Sequence, residues 1–377
     1  MNDIKLNYDD VAIVPEVMST IKSRKECNPF DENGRLPIFC SPMDSVISEE
    51  NYDDFVKNGI NVVLPRTINI SRRVQLVFDC NNFVAFSLAE AEELFVNEEL
   101  ERTYTDLDPN AWGLKICIDM ANGHMTDLLD IVKKIKDKYP LITIMTGNIA
   151  NPKTYLEYEK AGVDYVRVGI GGGSPCLTSS NTGVHFPYFS LLDEIYKIKV
   201  ENNCKCKIIA DGNIRGYRDV QKALTRADYV MIGGLFNKAF ESAGKTTYGK
   251  FYWNIRGYKI FRPIKTLLNY GKELDIANYS ELKKRWKNGE FTVFKQYWGM
   301  ASKKAQANIA NGNGKKDVKF KTSEGKILFQ KVEYTLESWV ENETDYLRSA
   351  MSYTNSHNLD EYKNTECVQI TNIRYNN

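Results

Sequence analysis

Histidine is scarce in this chain. Only His124, His185 and His357 occur in 377 residues, and their separation excludes a multi-histidine metal centre. The eight cysteines include no C-x-x-C pair, and Cys204-x-Cys206 lacks a second pair to complete a zinc site. In a chain this long they do not form the framework of a disulfide scaffold either. Net charge is nearly absent: 50 Lys plus Arg against 49 Asp plus Glu leave a formal +1. No global field therefore favours nucleic acid or an anionic membrane. No long uncharged apolar run occurs, and the opening MNDIKLNYDD is polar and acidic, which leads us to expect a cytoplasmic protein. Internal repeats, heptads and low-complexity segments are missing too.

What is present fits a soluble globular chain, with 42% hydrophobic and 26% charged residues and length for one large domain with insertions or for two. Short apolar runs recur at Ile38–Ser41, Asn61–Leu64, Phe83–Leu88, Leu114–Met120, Leu141–Thr146, Tyr165–Gly169, Lys207–Ala210 and Tyr229–Ile232. Amphipathic stretches at Met125–Tyr139, Lys153–Ala161, Tyr188–Val200 and Arg218–Thr225 separate the later ones. Eight strands alternating with helices predict an α/β fold, a closed (β/α)8 TIM barrel, although an open doubly wound sheet also accepts this alternation. Most strands end in small or polar residues, among them Ser41-Pro-Met-Asp44, Asp119-Met-Ala-Asn-Gly123, Thr146-Gly-Asn148, Asp211-Gly212 and Gly233-Gly234. A parallel barrel gathers such ends on one face, which we expect to be a ligand site.

One stretch organises the rest: Val166-Arg-Val-Gly-Ile-Gly-Gly-Gly-Ser-Pro-Cys-Leu-Thr178. A β-branched strand runs into Gly169, Gly171, Gly172 and Gly173, which let the backbone take positive φ and approach a ligand closely. The loop then presents the thiol of Cys176, with the Thr178 hydroxyl two residues on. A glycine-flanked cysteine at the C-terminal end of a barrel strand is laid out as a nucleophile; otherwise it packs inertly. Residues 245–296, rich in lysine and aromatics, show little strand pattern and read as an inserted lobe or helical excursion. A polar, glycine-bearing loop follows at 310–326, and a helical pattern returns from Val332 to Ser352.

Gly169-Ile-Gly-Gly-Gly-Ser-Pro-Cys-Leu-Thr178 resembles the active-site loop of the IMP dehydrogenase and GMP reductase family. The resemblance extends through Ser41-Pro-Met-Asp-Ser45, Asp119-Met-Ala-Asn-Gly123, Ile144-Met-Thr-Gly-Asn148, Ile209-Ala-Asp-Gly212, Val230-Met-Ile-Gly-Gly234, Tyr297-Trp-Gly-Met300 and Ser323-Glu-Gly-Lys326. It implies one TIM-barrel catalytic domain over 1–377, with 246–296 a divergent insertion and 301–326 a flap-like active-site loop. Three features look more like the reductase branch. No regulatory cystathionine-synthase-type (CBS) domain interrupts the barrel, and Thr182-Gly-Val-His-Phe-Pro187 resembles the reductase loop. Between Met300 and Ser323 there is little room for the dehydrogenase's water-activating Arg-Tyr flap.

The resemblance implies reductive deamination of GMP to IMP and ammonia with NADPH. Cys176 would form a thioimidate at C2 of the purine, and Thr178 with Glu324 would protonate the departing amine. Asp211, Gly212, Asn213, Gly233 and Gly234 would hold ribose and phosphate. Gly299, Met300, Ala301, Lys321, Ser323 and Gly325 would border the base. The cofactor would lie along Ser23, Arg24, Arg66, Asp119, Met120, Ala121, Asn148, Ile170, Gly171, Tyr353, Thr354, Asn355 and Ser356. Carbonyls of Gly171, Gly173 and Cys176 would bind K⁺, and a homotetramer is expected. His185 is expected to be structural.

Several positions depart from the family pattern. Ser179 stands where reductases carry arginine, Pro65-Arg66 where a His-Lys or His-Arg pair is usual, and Lys321 where an arginine precedes Ser-Glu-Gly. Ala301 replaces a serine and Asn213 a glycine. These substitutions leave other readings open: IMP dehydrogenase making xanthosine monophosphate with NAD⁺, a member acting on a deoxy or modified guanine nucleotide, or a catalytically silent nucleotide-binding protein. A flavin-using phosphate-binding barrel is a more distant option.

Overall fold

The computed structural model describes residues 4–103, 113–253, 259–267, 276–312 and 325–370. Its strands in chain order are β1 (Val11–Ile13), β2 (Ile38–Cys40), β3 (Asn61–Leu64), β4 (Phe83–Phe86), β5 (Lys115–Asp119), β6 (Thr143–Ile149), β7 (Tyr165–Val168), β8 (Lys207–Asp211) and β9 (Tyr229–Ile232). After them come β10 (Thr246–Trp253), β11 (Lys259–Leu267), β12 (Thr292–Trp298), β13 (Ile327–Lys331) and β14 (Cys367–Gln369). Strands β2 to β9 pair in parallel in sequence order and close when Ile38 of β2 registers with Val230 of β9. All eight predicted runs are barrel strands. The predicted closed barrel, not the open sheet, is the fold.

The side-chain period of two explains why these runs read as continuously apolar. Inward-facing Phe39, Val63, Phe83, Ala85, Cys117, Met145, Ile209, Tyr229 and Met231 fill the barrel as one cluster. Alternate residues such as Val62, Val84, Ile116, Val166 and Ile208 face outward into the layer shared with the helices. Four aromatics, Phe39, Phe83, Tyr165 and Tyr229, plug the lower end with ring centroids as close as 5.0 Å. Two residues further along the inward faces the chemistry changes, to Ser41, Asp119, Arg167, Asp211 and Gly233. The barrel is dry below and polar above.

The predicted helices form at Thr126–Lys138, Thr154–Lys160, Tyr188–Glu201 and Tyr217–Leu224, within a residue or two of their expected bounds. In the first of them Leu128, Ile131, Val132 and Ile135 recur at helical spacing and are buried. None of the described helices is long and apolar enough to cross a membrane.

Two expectations are corrected. The described residues of 245–296 are not a helical excursion: they carry β10, β11 and the start of β12, which join β13 in the antiparallel order β11-β10-β12-β13. The helix Ile276–Lys287 packs Tyr279, Leu282 and Trp286 against Phe240, Phe291, Val293 and Val332. The strand signal is hidden in β12 because a lysine occupies an inward position. Lys295 is 2% exposed, its Nζ donating to the carbonyls of Phe240 (2.7 Å) and Ser242, and burial lowers its pKa to about 7 despite the nearby Glu241. The second correction concerns 301–326. Lys303–Gly312 is helix rather than loop, started by the Ser302 hydroxyl accepting from the Ala305 amide at 3.2 Å.

The long helix Leu336–Tyr353 buries Glu343 completely. Its Oε1 accepts from Gln221 Nε2 at 2.9 Å, while Oε2 has no partner among the described residues, and burial raises its pKa to about 8. Between the ordinary carboxyl value of 4.5 and about 8 the unfolded chain has released a proton that the folded chain retains. Stability therefore falls as pH rises through that window and the loss is complete above it. Glu343→Gln keeps the shape without the ionisation. We expect it to match the wild type near pH 4 and to melt higher at about pH 9, by on the order of a few kcal/mol, in thermal scans at both pH values.

Candidate active site

The polar upper end of the barrel opens into a cavity of about 780 Å³. Strand ends and their following loops bring Cys176, Thr178, Asp211, Gly212, Asn213, Gly233, Gly234, Gly299, Met300 and Ala301 to its wall. Arg66, Asp119, Met120, Ala121, Asn148, Ile170, Gly171 and Gly173 complete the predicted lining. Residues far apart in sequence thus converge because parallel strands end on one face.

The Cys176 thiol donates to Thr178 Oγ1 at 3.3 Å, and the Cys176 amide donates to the Gly173 carbonyl at 2.8 Å. Across from the thiol, Gly325 pairs with Cys176 as an isolated antiparallel bridge, and the Lys326 amide donates to the Pro175 carbonyl at 3.0 Å. Burial pushes the thiols of Cys40, Cys117 and Cys206 up, to about 12 for Cys117. Among the eight unpaired cysteines, Cys176 is the one lining the cavity.

Gly169 and Gly171 take positive φ, +127° and +80°, as expected. A Cβ at Gly169 or Gly172 would overlap the Tyr188 ring, which is buried beneath the loop. Gly169 and Gly172 thus admit an aromatic support beneath the loop that carries Cys176. Asn213 stands at φ +58°, a left-handed conformation that asparagine tolerates better than most residues. It therefore replaces glycine without changing the turn, and its amide donates to the Gly172 carbonyl at 3.1 Å.

Below the loop lies a charge cluster that periodicity did not reveal. Arg167, whose side chain is 9% exposed, reaches Asp119 Oδ1 through Nη1 at 2.5 Å and Asp211 Oδ2 through Nη2 at 2.8 Å. Asn148 Nδ2 also donates to Asp211 Oδ2 at 2.8 Å, and Arg66 Nε to Asp119 Oδ2 at 3.1 Å. Burial alone would raise the Asp119 pKa, but the two guanidiniums outweigh it and hold the carboxylate below its usual range. Burial opposes the charge on Arg167 too, yet Asp211 and Asp119 keep its pKa raised. Three donor bonds converge on Asp211 Oδ2. Gly147 sits between the strands of Asp119 and Arg167, where a Cβ would lie 2.9 Å from the Arg167 Cβ. The signal for Arg167 was visible as a charge between two valines in β7, at an inward position.

The sequence reading also missed Gln306, Ile309 and Ala310, which line the cavity from the helix Lys303–Gly312. Asp44 fastens that helix, accepting from Trp298 Nε1 at 2.7 Å and Asn308 Nδ2 at 2.5 Å. Burial raises the Asp44 pKa against these bonds.

Some expected site residues lie elsewhere. Ser23, Arg24, Tyr353, Thr354, Asn355 and Ser356 are not part of the cavity wall. They stand where the N-terminal segment meets the end of the long helix: Thr20 donates to Asn355 Oδ1 at 2.9 Å, Arg24 pairs with Asp345 at 3.1 Å, and Thr354 bonds Ser356 at 3.0 Å. Lys321, Ser323 and Glu324 lie outside the described residues. His185 Nδ1 is 3.2 Å from the Ile170 carbonyl, a contact that supports the loop. The Gly171 carbonyl accepts from Ser179 Oγ at 3.0 Å and the Gly173 carbonyl from the Cys176 amide at 2.8 Å. Each of these carbonyls keeps a second lone pair, and no step is routed through a cation.

Comparison with known proteins gives the same direction. The IMP dehydrogenase / GMP reductase domain matches residues 5–270. A GMP reductase of Lactobacillus delbrueckii subsp. bulgaricus is 27% identical over 98% of this chain and 96% of its own length. One from Streptococcus pyogenes serotype M1 is 28% identical over 100% of this chain and 98% of its own. GMP reductase 2 of Bos taurus is 30% identical over 69% of this chain and 75% of its own. With its closed barrel and a cysteine loop at the C-terminal face, the chain belongs to the IMP dehydrogenase / GMP reductase family.

Proposed function

We propose that this protein reductively deaminates GMP to IMP and ammonia with NADPH. The observation that carries the reading is the Cys176 thiol on the cavity wall, 3.3 Å from the Thr178 hydroxyl and paired through its backbone with Gly325. Glu324 immediately precedes Gly325 in sequence. Asp211 Oδ1 receives the ribose hydroxyls, and the amides of Gly212, Gly233 and Gly234 receive the phosphate. So placed, purine C2 faces Cys176. The sulfur adds to C2; the C2–N bond to the exocyclic amine then breaks, and ammonia leaves with a proton relayed by Thr178 and Glu324. The resulting thioimidate keeps the purine covalently on Cys176.

The wall formed by Arg66, Asp119, Met120, Ala121 and Asn148 fits the nicotinamide end of the cofactor, since both Asp119 oxygens are already fixed by arginines and the backbone beside them faces the cavity. When bound, the cofactor supplies the hydride that replaces the amine at C2. The C2–sulfur bond then breaks and the thiolate is regenerated. Ser23, Arg24 and Tyr353–Ser356 stand apart from this wall. In the proposed homotetramer the surface beside them, with Val17 89%, Met18 79% and Tyr353 66% exposed, is available to another subunit.

Product chromatography tests the direction. GMP with NADPH should give IMP, and IMP with NAD⁺ should give no xanthosine monophosphate. Formation of xanthosine monophosphate without consumption of GMP would replace this reading with the dehydrogenase.

A further inference from the structure

The helix Tyr188–Glu201 begins a few residues after the Cys176 loop, and its first side chain lies where two loops of the site meet. Tyr188 is 1% exposed and is not part of the cavity wall. In the cysteine loop, a Cβ on Gly169 would overlap the edge of its ring and one on Gly172 its phenol end. A Cβ on Gly212, which follows Asp211 at the end of β8, would lie 2.8 Å from the phenol oxygen. One ring thus fills the space between the backbone that carries the thiol and the backbone that carries Asp211. The same two loops are joined by the Asn213 amide, which donates to the Gly172 carbonyl at 3.1 Å.

The ring is itself held in place. The Tyr188 amide donates to Asn7 Oδ1 at 3.1 Å, and the Ser190 amide to the Leu6 carbonyl at 3.0 Å. The Tyr8 ring centroid is 6.2 Å from that of Tyr188, and the Tyr8 carbonyl accepts from the buried Lys222 Nζ at 2.9 Å. His185 closes the flank, its ring centroid 5.5 Å from that of Tyr188 and its Nδ1 3.2 Å from the Ile170 carbonyl. The Tyr188 hydroxyl is buried and has no partner among the described residues. Shape, not a hydrogen bond, is therefore what this side chain contributes.

We infer that Tyr188 is a positioning residue for turnover: its ring sets the spacing of the cysteine loop from the Asp211-Gly212 turn. The inference rests on the function proposed above, in which Cys176 is the nucleophile and Asp211 holds the ribose. If so, the distance between these two loops fixes where the sulfur stands relative to the bound nucleotide. A displacement of about 1 Å in a reacting group costs on the order of 10²-fold in rate. Affinity, shared among many groups of the wall, changes less.

The test compares wild type, Tyr188→Phe, Tyr188→Leu, Gly172→Ala and the Gly172→Ala/Tyr188→Leu double variant. Turnover of GMP with NADPH, calorimetric affinity for GMP and hydrogen exchange of the Cys176 and Asn213 amides are measured on each. Tyr188→Phe keeps the ring and should stay within about threefold of wild type in all three. Tyr188→Leu should lower kcat by about 10²-fold, leave GMP affinity within about threefold and speed exchange of both amides. Gly172 lies outside the left-handed region, so alanine there meets only the overlap with Tyr188, and kcat should fall by a similar factor. Leucine vacates the space of the ring edge and phenol oxygen, so the double variant should be no slower than Gly172→Ala alone. Wild-type kcat or unchanged amide exchange in Tyr188→Leu, equal losses of kcat and affinity, or a double variant that multiplies the two losses overturns the role of Tyr188. If the wild type consumes no GMP with NADPH, the proposed function itself fails, and amide exchange still reports whether the ring holds the loop.

Discussion

Arg167→Met is expected to destabilise the fold by about 3–5 kcal/mol and to abolish nucleotide binding. The arginine is nearly buried between Asp119 and Asp211, and methionine fills its volume without its charge. Two carboxylates would be left in the upper barrel with only Arg66 and Asn148 as remaining donors. They must then repel, take up protons or draw water into the barrel, and each outcome costs stability. Arg167→Lys should recover part of the stability but little binding, because one ammonium cannot reproduce the planar fork that spans both carboxylates. Denaturant titration with GMP binding on the same samples separates the two effects. A Met variant within about 0.5 kcal/mol of wild type would show that the cluster is not held by its arginine.

The second large effect falls on Cys176, the proposed nucleophile. Cys176→Ala should lower turnover by on the order of 10⁴-fold or more while leaving nucleotide affinity within about threefold. The alanine variant keeps the Gly173 and Gly325 backbone contacts and the Tyr188 support, so the cavity persists and only the bond to carbon is lost. Steady-state rates beside a binding isotherm test this. The buried thiols of Cys40 and Cys117 lie in low-dielectric surroundings that hold them protonated, so they offer no substitute nucleophile.

The barrel was legible because its strands are buried on both faces and so appear as apolar runs with polar ends. The same logic placed Cys176, Thr178, Asp211, Asp119 and Asn148 on a common wall. It failed where local pattern and tertiary environment disagree. Lys295 looks like a surface residue but is buried against backbone carbonyls, and this masked β12 and the sheet around it. The helix Lys303–Gly312 carries lysine, asparagine and glycine and draws its position from Asp44, more than two hundred residues away in sequence, so nothing local marks it as a wall of the site. Arg167 stands out as a charge between two valines, but its meaning emerges only once Asp119 and Asp211 arrive from neighbouring strands. Gly169 and Gly172 were correctly read as sites of close approach, but the approaching group is Tyr188, from a helix that begins after the loop.

The central claim is that Cys176 converts GMP to IMP using a reduced nicotinamide. It is tested most directly by following the reduced-nicotinamide absorbance and free ammonia together, in wild type and Cys176→Ala supplied with GMP and NADPH. The expected result is equimolar loss of NADPH and gain of ammonia in the wild type, with neither change in the variant. Ammonia without NADPH consumption, or equal rates in the two proteins, would contradict the account.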